Sequence, residues 1–191
     1  PAFATAQCGP AADTCKIDGG SYTIKLPKNA GAGTPVVMFL HGYGGSGGGV
    51  LKSNRITTPA LARGYAVIAP NALRRAGSGP RAWNFHPQRT TGRTEAAFLQ
   101  NVLADAAQKF NLDKSRVLLS GFSIGGSMAS YIACNNPDFA TAYAPVGGSF
   151  WRPHPTRCTA PVRLFHTHGW ADGTVPLEGR RVGPGFVQGD V

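Results

Sequence analysis

Two kinds of apolar pattern along the chain predict strands that alternate with helices. The segment S-Y-T-I-K-L at residues 21–26 alternates apolar with polar residues, which is typical of a strand with one buried face. The runs P-V-V-M-F-L-H (35–41), Y-A-V-I-A-P (65–70) and R-V-L-L-S (116–120) are largely apolar. Such runs are expected of strands buried on both faces of a parallel sheet. Two more strands are predicted at residues 142–146 and 161–168.

Helical periodicity lies between these predicted strands. Apolar residues recur at helical spacing from Thr94, the expected N-cap, to Phe110, and shorter helices are predicted at 59–63 and 125–133. Residues 71–93 are rich in Arg, Gly and Pro and predict a long irregular loop. The alternation indicates an α/β class with a mainly parallel sheet and right-handed crossovers. In such sheets, binding sites form beyond the carboxyl ends of the strands.

The stretch G-F-S-I-G at residues 121–125 lies between a predicted strand and a predicted helix. Its glycines leave room for a sharp, strained turn that lifts the Ser123 hydroxyl out of the sheet. A serine hydroxyl is a weak nucleophile until a base takes its proton. A G-x-S-x-G pattern also occurs as a simple turn without chemistry. The strand before it and the helix after it favour Ser123 as a catalytic nucleophile.

A glycine-rich loop, L-H-G-Y-G-G, follows the buried run at residues 35–41. Acyl transfer builds negative charge on the reacting carbonyl oxygen, and one preorganised donor there is worth about 3 kcal/mol. We predict that the backbone N–H groups of Tyr43 and Ile124 form this oxyanion hole. His41 is predicted to be structural and to orient the loop.

The segment H-T-H-G-W-A-D-G-T-V-P also leaves the end of a predicted strand. Asp172 stands in a predicted loop, 49 positions after Ser123, and suits the acid that orients a catalytic base. Glu178 is the weaker substitute. A surface aspartate without a role is the alternative interpretation.

These motifs together resemble the secreted polyhydroxybutyrate depolymerase and feruloyl esterase group of the α/β-hydrolase superfamily. The resemblance covers residues 21–178 and rests on L-H-G-Y-G-G-S, G-Y-A-V-I-A-P-N, D-K-S-R-V-L-L-S-G-F-S-I-G-G-S-M-A and H-T-H-G-W-A-D-G-T-V-P. It implies an α/β-hydrolase fold with helices on both faces of the sheet. It also implies a serine ester hydrolase without metal or cofactor, in which Ser123 is the nucleophile and Asp172 the acid.

The catalytic histidine is where the sequence departs from this group, in which it follows the acid. No histidine follows Asp172 here, and the final G-F-V-Q-G-D-V does not resemble a natural C-terminus. We therefore expect the base to lie beyond Val191. The histidines other than His41 are His86 and His154 in predicted loops, which could approach the site, and His166 and His168 on the predicted strand before the acid.

The substrate is indicated only by aromatic residues in Pro/Arg-rich loops. Trp83 and Trp151 are candidates for the walls of a substrate cleft, with ordinary packing as the alternative. We predict hydrolysis of a polyhydroxyalkanoate-type polyester, a polymeric substrate, or of a feruloyl or aryl ester, in either case through an acyl-enzyme. A serine peptidase of the same fold stays open as an alternative. So does a non-catalytic polymer-binding module on a decayed hydrolase scaffold.

Composition and charge limit the number of domains and the kinds of binding partner that the sequence predicts. The 191 residues, 42% of them hydrophobic, fit one domain. We assign residues 21–191 to a hydrolase domain without its C-terminal part, preceded by a segment at 1–20. The 19 Lys and Arg residues exceed the 9 Asp and Glu residues and give a net charge of +10, but no nucleic-acid motif accompanies them. A cationic surface that favours anionic polymers is expected instead. No apolar run approaches the roughly 20 residues that span a bilayer.

The four cysteines point to disulfides and export. They lack C-x-x-C spacing, which argues against a zinc site. We predict the pairs Cys8–Cys15, which are close in sequence, and Cys134–Cys158, by elimination. Ala4-Thr5-Ala6 resembles a signal-peptidase site, so residues 1–6 could be the tail of a secretion signal. Together these features predict a secreted or periplasmic protein.

Overall fold

The computed structural model describes Cys8, residues 14–88 and residues 92–191, so the predicted signal remnant lies outside the described residues. Within them, strands and helices alternate as the apolar pattern predicts. In chain order they are β1 (Cys15–Ile17), β2 (Gly20–Lys25), β3 (Thr34–Leu40), α1 (Gly47–Lys52), α2 (Asn54–Ala62), β4 (Ala66–Pro70), α3 (Glu95–Phe110), β5 (Leu112–Phe122), α4 (Ile124–Asn135), β6 (Ala142–Val146), β7 (Trp151–Arg152), β8 (Arg180–Arg181) and β9 (Val187–Gln188).

The main sheet has six strands in the order β1-β2-β4-β3-β5-β6. Strands β4, β3, β5 and β6 run parallel, and β2 and β1 add an antiparallel edge. The predicted α/β class with a mainly parallel sheet is confirmed. The segment assigned to residues 1–20 contributes β1 to this sheet, and the boundary at residue 21 stays a prediction.

Strand β3 shows why the central runs are apolar at every position. Val36, Met38 and Leu40 face the main core, where α3 and α4 pack. The intervening Phe39 faces the opposite side and packs with Val50 of α1. Both faces of the strand are therefore buried, and helices lie on both faces of the sheet as predicted.

The two faces are covered unequally. The 16-residue α3 and the 12-residue α4 cover one face, whereas the short α1 and α2 pack mainly on β2, β3 and β4 of the other. A groove of about 900 Å³ lies on that second face. Val37 of β3, Leu118 of β5 and Ile56 of α2 are among the residues that line it.

The glycine-rich loop after β3 contains a helix that the apolar pattern did not predict. Ser46 caps α1, because its Oγ accepts a hydrogen bond from the Gly49 N–H at 3.1 Å. A Cβ atom on Gly47 would clash with the carbonyl oxygen of Ala69 in β4. This glycine therefore permits close packing of the helix on the sheet.

The segment at residues 161–168 departs from the predicted regular strand. It runs beside β6 but pairs with it only at two isolated parallel bridges, Leu164 with Tyr143 and Thr167 with Val146. Phe165 is 74% exposed on this segment. A strand needs neighbours to define its register, and this segment pairs with β6 alone among the described residues.

Three short strands form a second antiparallel sheet in the order β7-β9-β8. Each has only two residues, so no periodicity in the sequence could have predicted them. They bring the segment after β6 together with the last residues of the described chain. This small sheet contributes one wall of the cavity described below.

Both predicted disulfides are confirmed. Cys8 is bonded to Cys15, at the start of β1, and Cys134 in α4 is bonded to Cys158. The second bond ties α4 to the segment that leads to residues 161–168. No helix in the described part of the chain is both long and apolar enough to cross a bilayer.

Candidate active site

Ser123 occupies a strained turn between β5 and α4. Its backbone has φ +56° and ψ −122°, a region that costs a non-glycine residue about 1–3 kcal/mol. Two main-chain hydrogen bonds hold it there: the Ser123 N–H donates to the Val146 oxygen at 2.9 Å, and the Ser123 oxygen accepts from the Ser127 N–H at 2.9 Å. Strain imposed by the surrounding structure is a feature of functional sites.

Glycines around Ser123 let main chains approach closely. A Cβ atom on Gly125 would lie 2.6 Å from the His41 oxygen, and one on Gly121 would lie 2.5 Å from the carbonyl carbon of Gly125. One on Gly148, in the loop after β6, would lie 2.8 Å from the Ser123 oxygen. The turn is thus held by backbone from three adjacent strand ends.

The Ser123 hydroxyl forms no structural hydrogen bond with the described residues. Ser123 is the N-cap of α4, but its side chain makes no capping hydrogen bond, and no residue in the described ranges bonds to its Oγ. The side chain opens into a cavity of about 500 Å³. All four other residues predicted for the oxyanion hole and substrate cleft line this cavity too: Tyr43, Trp83, Ile124 and Trp151.

The two backbone N–H groups predicted to form the oxyanion hole belong to segments that lie next to Ser123. Among the hydrogen bonds of the described residues, neither the Tyr43 N–H nor the Ile124 N–H donates to a main-chain acceptor. Ile124 begins α4, where an N–H has no partner within the helix. The loop that carries Tyr43 passes close to the nucleophile, since a Cβ atom on Gly42 would lie 3.6 Å from the Ser123 Cβ.

His41 holds the loop that carries Tyr43. Its Nδ1 donates to the Gly42 oxygen at 2.7 Å, and its Nε2 accepts from the Ala72 N–H at 3.1 Å. Burial lowers the pKa of this imidazole, so it stays neutral, with the proton on Nδ1. Both nitrogens are therefore occupied, in keeping with the structural role predicted for His41.

The two tryptophans differ in how they line the cavity. Trp83 is 2% exposed, and its Nε1 donates to the His41 oxygen at 2.8 Å, so it also supports the loop of Tyr43. Trp151 is half-buried and packs edge-on against Phe85 and Phe186, with ring centroids 5.4 and 6.2 Å away. Trp151 is consequently the better placed of the two to contact a ligand.

Asp172 lies in the loop that follows residues 161–168, which we call the acid loop (residues 169–176). Its Oδ1 accepts hydrogen bonds from the Val175 and Thr174 N–H groups at 2.9 and 2.8 Å. These bonds hold the pKa of the carboxyl below its usual range, so Asp172 is ionised at neutral pH. A Cβ atom on Gly147 would lie 3.5 Å from Oδ2, and Gly147 follows the residue whose oxygen binds the Ser123 N–H. Asp172 borders the site, and Thr174 of its loop lines the cavity.

Two histidines outside the acid loop do not offer a base to Ser123. His86 lines the cavity, but its Nε2 donates to the Arg152 oxygen at 3.1 Å and its Nδ1 accepts from the Gln88 N–H at 3.2 Å. His154 lies beside the Asp190 carboxylate instead, at 3.8 Å.

His166 and His168 form a pair under the acid loop. His166 Nε2 and His168 Nδ1 are 3.0 Å apart, and His168 Nε2 donates to the Val175 oxygen at 2.6 Å. Burial, and then the neighbouring His168, lower the pKa of His166. His168 Nε2 comes within 3.8 Å of Asp172 Oδ2, which is too long for a hydrogen bond. None of the five histidines, all of which the structure describes, hydrogen bonds to Ser123.

Several residues that line the cavity were missed from the sequence. They come from the loop after β4, from the acid loop and from the region of β8 and β9: Arg75, Thr174, Arg180, Val182, Pro184 and Phe186. Apart from Thr174, which belongs to the motif that carries Asp172, no motif or periodicity marks them. Among the described residues, no three His, Cys, Asp or Glu side chains are grouped so as to hold a metal ion.

The fold and this arrangement agree with the comparison to known proteins. The alpha/beta hydrolase fold family matches residues 35–186, and the chain belongs to that family. It is 26% identical over 157 residues to a bifunctional acetylxylan esterase/xylanase of Neocallimastix patriciarum, covering 81% of this chain and 22% of the relative. It is 24% identical over 194 residues to feruloyl esterase D of Neurospora crassa, covering 92% of this chain and 62% of the relative.

Solved structures show the same fold. The crystal structure of esterase PE8 superposes with a TM-score of 0.59 at 24% identity, covering 87% of this chain and 79% of that one. The chain spans less than two thirds of the length of both curated relatives named above.

Proposed function

We propose that this chain carries the nucleophile, oxyanion hole and acid of a serine carboxylic-ester hydrolase that works through an acyl-enzyme. The observation that carries the proposal is Ser123 itself: a strained residue at a strand–helix turn whose hydroxyl is unbonded among the described residues and opens into a cavity. The relatives named as feruloyl and acetylxylan esterases support ester hydrolysis as the chemistry.

The reaction follows from these positions. Ser123 Oγ attacks the ester carbonyl carbon while a base takes its proton, and the Tyr43 and Ile124 N–H groups bind the carbonyl oxygen as it becomes negative. The intermediate then expels the alcohol, which receives the proton from the base. Water attacks the acyl-enzyme in the same way and releases the acid. Asp172 holds the base in one tautomer and stabilises its charged form.

We infer that the base is a histidine outside the sequence printed above. The reason is local: His41, His86 and His168 each have both ring nitrogens hydrogen-bonded within the fold. His154 and His166 are placed next to other partners. A base delivered beside Asp172 Oδ2 would meet a carboxylate oxygen that accepts no hydrogen bond from the described residues.

The cavity wall favours an aryl ester over a polyester chain as substrate. Trp151, Phe85 and Phe186 form a cluster of aromatic rings on one side of the cavity, which suits a flat aromatic group. The two disulfides support a secreted enzyme, since such bonds persist in oxidising compartments.

Covalent labelling tests the proposal in the full-length protein. We expect a serine-directed fluorophosphonate to add once, at Ser123, and to abolish hydrolysis of 4-nitrophenyl acetate. Ser123→Ala should remove both the label and at least about 10³-fold of the activity. Ser127→Ala is the matched control, because Ser127 lies in the same motif but its Oγ accepts from the Ser149 N–H. Labelling that persists in Ser123→Ala would contradict the proposal. Faster cleavage of nitroanilide peptides than of esters would instead identify a peptidase.

One observation favours a second candidate, a polymer-binding module on a hydrolase scaffold: the engagement of His41, His86 and His168 in structural hydrogen bonds. That candidate predicts no label on the full-length protein and polymer binding that Ser123→Ala leaves unchanged.

A further inference from the structure

Positive charge predominates among the side chains that line the cavity at Ser123. Arg75 and Arg180 both line it, and no Asp or Glu is among the described residues that do so. The two arginines come from different segments of the chain: Arg75 from the loop after β4, near Tyr43, and Arg180 from β8, near the acid loop. An ester bound at Ser123 therefore shares the cavity with two guanidinium groups.

Arg75 lies near the loop that carries Tyr43 and has no carboxylate partner among the described residues. Its guanidinium carbon lies 5.4 Å from the centroid of the Tyr43 ring. Within the described part of the chain it forms no salt bridge, in contrast to Arg93, which pairs with Glu95 at 3.0 Å. A cation stacked on a ring keeps its charge available to an anion.

Arg180 is oriented by its inner nitrogen alone. Its Nε donates to the Thr174 oxygen at 2.8 Å and approaches the Gln188 Oε1 at 3.2 Å. Its two terminal nitrogens make no hydrogen bond or salt bridge with any described residue, although its charge adds to the backbone hydrogen bonds that lower the pKa of Asp172. Those nitrogens form the fork that binds a carboxylate most strongly. The next residue, Arg181, does not line the cavity.

We propose that this site prefers esters that bear a carboxylate on the acyl or the alcohol part, close to the scissile bond. The inference rests on the proposed ester hydrolysis and specifies its substrate class. The aromatic wall binds the body of the ester, and Arg75 and Arg180 bind its charge. The net charge of +10 acts in the same direction, because it raises the local concentration of anionic substrates.

Two pairs of esters that differ only in charge test the preference in the full-length enzyme. 4-Nitrophenyl hydrogen adipate and 4-nitrophenyl adipamate place a carboxylate or a neutral amide on the acyl part. 4-Acetoxybenzoate and 4-acetoxybenzamide place the same groups on the alcohol part. For at least one pair, we expect the ratio of kcat/KM for the anion over the amide to fall about five- to tenfold in Arg75→Gln or Arg180→Gln.

Further variants distinguish the effect of a charge in the cavity on this preference from the effect of a charge elsewhere on the protein. Arg180→Lys should keep most of the preference, since it retains the cation. Arg181→Gln should keep all of it, because it removes one positive charge from the same strand but outside the cavity. Raising the salt concentration to about 0.5 M should reduce the preference by screening exposed charges.

A binding measurement keeps the inference testable if hydrolysis fails. Trp83 and Trp151 line the cavity, so their fluorescence should report binding of 4-hydroxybenzoate more strongly than of 4-hydroxybenzamide, and Arg180→Gln should reduce that difference.

Equal anion-to-amide ratios in the parent and both arginine variants, with neutral esters still cleaved, would overturn the inference but leave the proposed function intact. Absence of hydrolysis with selective 4-hydroxybenzoate binding would support anion recognition and refute the ester chemistry. Equal binding of both ligands would overturn the inference on this measure.

Discussion

The surroundings of Ser123 and of Asp172 differ in almost every structural respect, although Ser123 and the loop of Asp172, through Thr174, line the same cavity. Ser123 follows an 11-residue strand that pairs with a neighbour on each side, and it precedes a helix that is buried from Gly125 onward. Asp172 follows a segment held to the sheet by two isolated bridges, and its neighbour Trp170 is 92% exposed.

The difference shows two ways to position a functional group. At Ser123, main-chain packing determines the geometry, and the glycines around it leave no space for side chains. At Asp172, the carboxylate itself organises the loop by accepting two backbone hydrogen bonds. Substitutions near Ser123 should therefore affect stability and activity together, whereas substitutions in the acid loop should separate them.

The largest effect is expected from Asp172→Asn. In the full-length enzyme, kcat/KM for an ester should fall about 10⁴-fold, because an amide cannot hold the base in the required tautomer or stabilise its charge. The free energy of unfolding should change by only about 1 kcal/mol, since the amide oxygen still accepts from the loop N–H groups. Steady-state kinetics and urea unfolding measure the two quantities. Glu178→Gln, in the same loop region, is the control. If Glu178→Gln loses the activity and Asp172→Asn keeps it, the assignment of the acid is wrong.

Gly125→Ala and Gly173→Ala compare the two regions directly. At Gly125, a methyl group would overlap the backbone oxygens of Leu40 and His41, so we expect a loss of about 3 kcal/mol or more in the free energy of unfolding. At Gly173, beside Asp172, a Cβ atom has no neighbour within 4 Å, and the change should stay within about 0.5 kcal/mol. Chemical denaturation of both variants measures these values. Similar losses at the two positions would contradict the proposed difference between the regions.

Removal of the Cys134–Cys158 disulfide should weaken the link between the two regions. The bond closes a sequence separation of 24 residues and ties α4 to the segment before Asp172. Cys134→Ala/Cys158→Ala should lower the free energy of unfolding by about 3 kcal/mol, chiefly because the unfolded chain is less constrained. Denaturation under non-reducing conditions measures the loss. A double variant as stable as the parent would show that the bond does not connect the regions energetically.

The smallest effect concerns pH and His41. Burial lowers the pKa of His41 in the fold, while in the unfolded chain the pKa stays near about 6.5. As the pH falls below about 6.5, the unfolded state takes up a proton that the folded state refuses, so the stability present at higher pH is lost. The free energy of unfolding measured by urea denaturation should therefore decrease between pH 8 and pH 5.5, by an amount on the order of 1 kcal/mol from this group.

His41→Asn provides the matched variant for that measurement. It should be less stable at pH 8, because it loses the hydrogen bonds to Gly42 and Ala72, but its stability should depend less on pH. The remaining slope is expected from His166, whose pKa burial also lowers. An unchanged slope in His41→Asn would show that His41 is not the group that titrates.

The sequence by itself determined the parts of this protein that depend on local pattern. Runs that are apolar at every position indicated strands covered on both faces, and Val36, Phe39 and Leu40 pack accordingly. The glycines around Ser123, placed between such a run and a helical segment, indicated the turn that the structure contains. Both disulfides were also predictable, because four cysteines with two of them close in sequence leave few pairings.

Only the tertiary structure decided the composition of the cavity and the state of the histidines. Arg180 and Phe186 reach the cavity because three two-residue strands bring distant segments together, and Arg75 reaches it on the loop after β4. Likewise, the occupied nitrogens of His86 depend on backbone groups such as the Arg152 oxygen, 66 residues away in sequence. Hydrophobic periodicity reports which face of an element is buried, but it does not specify which distant loop covers that face. Contacts between segments far apart in sequence arise only when the whole chain closes around its core.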